Sequence, residues 1–439
     1  MTRVGAPRGS QARRLRFCLV TSAHVCNNPR LVKEADALHG AGHDVRVVAI
    51  WADATNGMRD DALMRSRDWR LHRIRVARRE WDSRFRWVAG SLTQAAARQA
   101  FDRGVRTDAI RDQAASRFVR QLTRAAAREP ADVIVGHNLQ ALPAVVRAAR
   151  RIGGDARVGF DLEDLHSGEL PDEPSIEATR RLVSEVERRY LPECDFLLAS
   201  ADGIADEVVR QYGVRRPSVV HNVFPLSDRS VTTTEERRGG GGTVSLYWYS
   251  QVIGPRRGLE EAVTALSQLP PTVHLHLRGN RDESYAESLA SLASELGVEN
   301  RVHVLAPAPP DALVSLARQH DIGLALEQPT TLNRRLCVTN KFFTYLLGGI
   351  AVAATDTPGQ RSMMSRVPGV GFTYPAGDAN SLARGLSALV NDPAALAAAK
   401  QTAYEHAVKR FSWELEEPKL LDILTRFDAQ EATRARSAS

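Results

Sequence analysis

LRFCLVTSAHVCNNPRLVKEADALHGAGHDVRVVAI, residues 15–50, decides the fold. The run 15–22 is almost continuously apolar, as a strand covered on both faces must be. A helix follows: Asn28 can cap it, Pro29 suits its first turn, Leu31, Ala35 and Leu38 share its inner face, and Gly40 and Gly42 end it. A second apolar run, 44–50, completes a strand–helix–strand unit of a parallel sheet. Outward from this unit the alternation continues, with strands predicted at 132–136, 157–162, 195–200 and 218–223. Helices are predicted at 141–151, 175–190 and 202–212, the last with Ser200 as its cap, and the insert 81–128 reads as one or two more. The tract SDRSVTTTEERRGGGG, 227–242, is too polar and glycine-rich to join a core. After it the alternation restarts, with strands predicted at 244–249, 273–277, 301–305, 321–326, 351–355 and 371–374. The expected architecture is α/β, two Rossmann-like domains whose parallel sheets face one another across a cleft. The expected boundaries are a disordered start at 1–13, a first domain at 14–224, a linker at 225–242 and a second domain at 243–410, with a final helix at 411–428 packing back on the first domain.

A chain of 439 residues is too long for one core and fits two domains of about 200 residues each. With 43% hydrophobic and 25% charged residues it is neither disordered nor fibrous. Cys18, Cys26, Cys194 and Cys337 show no CxxC spacing and read as reduced thiols. Residues 15–23 are too short and polar for a signal peptide, and no run approaches the ~20 apolar residues of a membrane span. A cytoplasmic protein is expected, without a nucleic-acid partner. The net charge of +7 is concentrated between residues 65 and 128, where Arg65, Arg67, Arg70, Arg73, Arg75, Arg78, Arg79, Arg84 and Arg86 are interleaved with Trp69, Trp81, Phe85 and Trp87. This segment reads either as a solvated basic face or as a surface docking on anionic lipid headgroups at the inner face of the membrane.

Ligands of open parallel sheets bind beyond the C-terminal ends of strands, so residues there carry the chemistry. SAHVCNNPR, 22–30, lacks the G-x-G-x-x-G of a dinucleotide enzyme, and no GxxxxGK[ST] or HExxH occurs. The acidic run at 161–164 has no second ligand set, so no metal is expected. In QVIGPRRGLEEA, 251–262, Gly254 permits close backbone approach, Arg256 and Arg257 supply cations, and a helix start follows, a combination suited to a diphosphate. A Gly-Pro turn with two solvated arginines is the plainer reading. In TNKFFTYLLGGIAVAATDTPG, 339–359, Asn340 and Lys341 open a helix. A cation at a helix start is unfavourable without a nearby anion, so Lys341 is either a phosphate ligand or a surface residue.

The order of these motifs resembles the family 4 glycosyltransferases, retaining enzymes of the GT-B fold. NPRLVKEADALHGAGHDVRVVAI, DVIVGHNLQALPA, ASADGIADEVVRQYG, VVHNV, GPRRGLEEA, NKFFTYLLGGIAVAATDTPG and FSWE carry the resemblance from about residue 14 to 427. It implies transfer of a hexose-like group from a nucleotide-diphosphate sugar to a glycan, lipid-linked or small-molecule acceptor, with retention and without a metal or other cofactor. Arg257, with Arg256 beside it, would neutralise the diphosphate, and Asn340 and Lys341 would open the nucleotide-binding helix. Gly254 and Gly279 would admit the donor. His137 would contact the donor sugar, its plainer reading being a histidine tied to backbone beyond a strand. The family's paired glutamates fall at Leu336 and Thr344, which leaves Thr344 at the ribose position and Glu327 as a substitute carboxylate. FDLEDLHSGE, 160–169, resembles the family's acidic His-containing segment, so Asp161, Glu163, Asp164 and His166, with Asn28 and Arg30, are acceptor-side candidates; a polar loop with capping roles is the alternative. A non-catalytic nucleotide-sugar-binding subunit and a nucleotide-sugar epimerase of the same fold are the competing functions.

Overall fold

The computed structural model describes residues 13–153, 155–231 and 242–426. The expectations for 1–12, for 232–241 of the linker and for 427–439 lie outside the described residues. Seven strands form the first parallel sheet: β1 Arg16–Thr21, β2 Asp44–Trp51, β3 Arg70–Arg75, β4 Val133–His137, β5 Arg157–Leu162, β6 Phe196–Ala199 and β7 Ser218–Val219, in the order β3-β2-β1-β4-β5-β6-β7. Six form the second: β8 Val244–Ile253, β9 Val273–Arg281, β10 Val302–Leu305, β11 Ile322–Ala325, β12 Ala351–Thr355 and β13 Gly371–Tyr374, in the order β10-β9-β8-β11-β12-β13. Each sheet reverses its winding once, between β1 and β4 and between β8 and β11, and such switch points are where ligands settle in open α/β sheets. The chain divides into two compact units: everything up to Asp161 with Leu182–Leu197, and Leu162–Arg181 with everything from Leu198 onward.

Residues 15–50 fold as read. The Asn28 side chain accepts the Leu31 N–H, Pro29 is the first residue of the helix Pro29–Gly40, and Leu31, Ala35 and Leu38 are buried. Phe17 pairs with Val45 on one side and Val133 on the other, which makes β1 a central strand. The basic segment departs from its reading. Arg70–Arg75 is a strand at the sheet edge, hidden because an edge strand keeps its charged side chains in water; here only Ile74 is buried. The insert forms three helices, Trp81–Asp102, Asp108–Ala115 and Val119–Ala126. Ser200 does not cap the helix Asp202–Tyr212; its hydroxyl donates to the Glu163 carbonyl at 2.6 Å.

In the second unit Leu246, Trp248, Leu275, Leu277 and Leu324 build the core under β8, β9 and β11. The β8–β9 register shifts between Tyr249 and Val252. Gly279 faces this irregularity at φ +155°, where a Cβ would stand 2.6 Å from the Ser250 carbonyl oxygen. The last helix, Trp413–Thr425, is fixed to the segment after β7. The Trp413 N–H donates to the Phe224 carbonyl at 3.0 Å, and the buried Glu416 carboxylate accepts the His221 N–H at 3.2 Å.

Candidate functional site

Beyond the C-terminal ends of β8 and β11 the second sheet gathers a cationic cluster around one buried carboxylate. Glu327 follows β11. Its Oε1 accepts from Lys341 Nζ at 2.7 Å and from the Thr339 hydroxyl at 3.3 Å, and its Oε2 accepts from Arg334 at 3.3 Å. Burial works to raise the Glu327 carboxyl, but Lys341, Arg334 and Arg257 together hold it below the usual carboxylate range. Arg257, in the loop after β8, has its guanidinium pushed down by burial and by the neighbouring Arg334. Like charges that oppose one another, with one carboxylate already bound to Lys341, leave net positive charge at a strand-end switch point.

The local chain explains this placement. Gly258, at φ +73°, packs so closely on Leu326 that a Cβ would lie 2.9 Å from the Leu326 side chain, which draws the Arg256–Arg257 loop against the end of β11. Arg256 itself is exposed and holds φ +58°, a left-handed conformation uncommon for a residue with a Cβ. Gly254 is buried at the end of β8, and the helix Leu259–Leu266 begins just beyond Gly258. Lys341 lies in the first turn of the helix Asn340–Gly348, and the anion that this position requires is Glu327. Asn340 is exposed at the same helix start. Thr344 is fully buried, its hydroxyl 2.8 Å from that of Tyr249, and Gly279 serves the β8–β9 contact. Arg334 was not singled out from sequence. Its only signal was a position midway between Glu327 and Lys341, and it takes effect only once Leu332–Leu336 coils into a short helix.

At the switch point of the first sheet, the first unit holds a second polar cluster. The i, i+4 pair Arg30 and Glu34 on Pro29–Gly40 faces the register partners His137 of β4 and Asp161 of β5. Arg30 Nε donates to Asp161 Oδ2 at 2.5 Å, and Glu34 Oε2 lies 3.3 Å from His137 Nε2. All four side chains are buried. Ligand atoms of Glu34, His137 and Asp161 fall within 4.8 Å of one another, but the guanidinium of Arg30 already serves as counter-cation to Asp161. Asn28 is buried and caps the helix. Glu34 was missed from sequence because within an amphipathic helix it looked like one of many solvated charges.

The remaining acceptor-side candidates belong to the second unit. Asn333 joins Asp164 to the helix Leu332–Leu336: its Nδ2 donates to Asp164 Oδ1 at 2.7 Å and its Oδ1 accepts the Leu165 N–H at 2.9 Å. Burial, with Glu169 nearby, raises the Asp164 carboxyl, and His166 Nδ1 lies 2.9 Å from Glu169 Oε2. Thus Asp161 is grouped with Arg30 and His137, whereas Asp164 is bonded to Asn333, His166 faces Glu169, and the Glu163 carbonyl accepts from Ser200.

The basic segment is partly neutralised. Arg67 pairs with Asp36, Arg70 with Glu129 and Asp44, Arg73 with Asp61 and Arg75 with Glu80. The helix Trp81–Asp102 differs: Trp81 is 90% exposed, Phe85 80% and Leu92 66%, with Val88 on the same face and Arg84 and Arg86 exposed beside them. No helix among the described residues is long and apolar enough to cross a membrane.

Residues 28–223 match the model of the glycosyl transferase 4-like domain family. D-inositol 3-phosphate glycosyltransferase of Rhodococcus opacus (strain B4) is 27% identical over 251 residues, covering 52% of each protein, so the chain spans about half the length of this curated relative. Among solved structures, Anabaena HepE in complex with UDP and glucose superposes with TM-score 0.68 at 16% identity, covering 94% of this chain and 100% of that one. Sucrose-phosphate synthase from Thermosynechococcus elongatus superposes with TM-score 0.65 at 15% identity, again covering 94% and 100%. Two parallel-sheet α/β domains and these neighbours bear out the expected fold. The chain has the GT-B fold, as the order of its motifs led us to expect, and its residues 28–223 are similar to the glycosyl transferase 4-like domain.

Proposed function

We propose that the chain transfers a sugar from a nucleotide-diphosphate sugar to a glycan, lipid-linked or small-molecule acceptor. The observation that carries this reading is the cationic cluster of Arg257, Arg334 and Lys341 around Glu327 at the β8–β11 switch point. A departing nucleoside diphosphate gains negative charge in the transition state, and cations fixed beforehand stabilise it where that charge develops. With these cations and the start of the helix Leu259–Leu266, the leaving group is neutralised without a metal ion. Retention at the anomeric carbon is part of the same proposal, as are donor contacts by Gly254, Arg256 and Asn340 and acceptor contacts by Glu163, Asp164 and His166; Thr344, fully buried against Tyr249, is not among the donor contacts. Because HepE has been solved with UDP and glucose, UDP-sugars are the first donors to test.

The test incubates purified protein, without added metal, with a panel of nucleotide sugars and candidate acceptors. NMR then reads the anomeric configuration of the product. Retained configuration in the wild type and loss of turnover in Arg257→Ala support the proposal. Inversion would refute the retaining mechanism, and donor epimerisation without transfer would favour the epimerase.

The exposed stripe of Trp81, Phe85 and Leu92, bordered by Arg84 and Arg86, supports a further part of the proposal, peripheral contact with an anionic membrane at the inner face. Aromatic side chains settle at the headgroup boundary, and arginines beside them attract anionic lipid.

A further inference from the structure

A pocket of about 370 Å³ opens at the other end of the second sheet from the cluster around Glu327. Asp321, which precedes β11, Gly349, which precedes β12, and the helix Pro393–Arg410 line it, whereas Glu327 follows β11, so the length of that strand separates the two sites. Arg229, in the turn Leu226–Ser230, forms one wall with its guanidinium 3.9 Å over the ring of Tyr404. Gly349, at φ +69°, makes the room: a Cβ there would stand 3.4 Å from Arg229 Nη2 and 3.3 Å from Tyr404 Cβ.

The charges around this pocket do not cancel. Asp321 is already satisfied, its Oδ1 accepting from Lys400 Nζ at 2.6 Å and its Oδ2 accepting the Ser245 N–H at 3.0 Å. No carboxylate among the described residues pairs with Arg229. Its Nε is buried without a hydrogen-bond partner, and burial together with a second cation, Arg318, pushes the guanidinium below its usual range. A buried donor left unbonded is costly, so an anion that satisfies the guanidinium would be favoured there. Stacking on a tyrosine ring fixes the guanidinium plane, and a planar fork held in this way matches a phosphate group. Lys400 Nζ carries three N–H groups and directs two of them to Asp321 and the His320 carbonyl. Leu396 and Ala397 supply an apolar side, and the volume is that of a small-molecule site.

We propose that this pocket binds a phosphate monoester of about monosaccharide size, with Arg229 on the phosphate, Lys400 beside it and the body of the ester along Leu396 and Ala397. A ligand held there ties the turn Leu226–Ser230 to the helix Pro393–Arg410 and stabilises both. The pocket lies apart from the site of the proposed sugar transfer and does not rest on that reading.

The test is isothermal titration calorimetry of the full chain with ribose 5-phosphate, inorganic phosphate and ribose at constant ionic strength, with a thermal melt alongside. Ribose 5-phosphate should bind the wild type saturably and raise its melting temperature, inorganic phosphate should bind more weakly, and ribose should not bind. Arg229→Met keeps an aliphatic stem over Tyr404 and removes the charge; it should weaken the ester roughly tenfold or more, the worth of one charge-assisted hydrogen bond. Ala397→Glu sets a carboxylate at an exposed position of the pocket lining and should weaken the ester similarly without disturbing the core, so it decides the matter if Arg229→Met does not fold. Arg257→Ala with Arg334→Ala should leave ester binding unchanged. No saturable binding of the ester, equal binding of inorganic phosphate, or affinity undiminished in Ala397→Glu would overturn the proposal. Loss of binding in Arg257→Ala with Arg334→Ala alone would assign the ester to the cluster around Glu327 and overturn it too. Absence of sugar transfer would count against the proposed function and leave these titrations intact.

Discussion

Removing the Glu327 carboxylate leaves Lys341 buried opposite no anion, and breaking a buried ion pair from one side costs about 3–5 kcal/mol. Glu327→Ala is therefore expected to lose stability of that order in urea denaturation. The pH dependence follows from the direction of the Glu327 shift. Its folded value lies below the unfolded one, so the pair stabilises the protein fully above the unfolded carboxylate value, about 4.3, and the contribution fades as pH falls through the lower folded value. Acid denaturation of Glu327→Gln should lack that component. Arg334 is partly exposed and should behave in the opposite way. Its removal changes stability by less than about 1 kcal/mol but weakens diphosphate binding by roughly 10- to 100-fold, the worth of one charge-assisted hydrogen bond. Calorimetry on Arg334→Ala checks both halves. Glu327 was legible in the sequence because it ends a strand; Arg334 and Glu34 were not, because their significance lies in which distant charges they meet.

Among the elements, the β8–β9 pair positions the Gly254–Arg257 loop, and Gly279 sets how closely the strands approach. Gly279→Ala would place a Cβ against the Ser250 carbonyl, and a strained backbone costs about 1–3 kcal/mol. The expected outcome is a lower thermal midpoint together with weaker nucleotide binding, since the loop shifts with its strand; a stable variant with full binding would contradict this placement. The helix Trp81–Asp102 allows a test that leaves the fold alone, because Trp81 and Phe85 touch so little of the protein. Trp81→Ser with Phe85→Ser should lower co-sedimentation with anionic vesicles several-fold while the melting temperature stays level. Equal sedimentation of variant and wild type would remove the membrane proposal. Apolar strands and the capped first helix were readable because burial on both faces imposes continuous apolar runs. β3 was not, since an edge strand shows its arginines to solvent, and neither was the Ser200 bond to Glu163, which depends on two strand ends meeting.

For the whole molecule, each sheet places a charged cluster at its own switch point. The first sheet's cluster brings together both signs of charge, the Arg30 guanidinium against the carboxylates of Asp161 and Glu34, with His137 among them. The second keeps positive charge in excess through Arg257, Arg334 and Lys341 against Glu327. That asymmetry is the reason for our proposal that the second unit binds the nucleotide. The most direct measurement is isothermal titration calorimetry with UDP, GDP and ADP and their monophosphates, on the wild type and on Arg257→Ala with Arg334→Ala. One diphosphate should bind the wild type at least tenfold more tightly than its monophosphate, and the double variant should lose that preference. A wild type that binds none of the diphosphates, or a double variant that binds one undiminished, would contradict the assignment of the donor site.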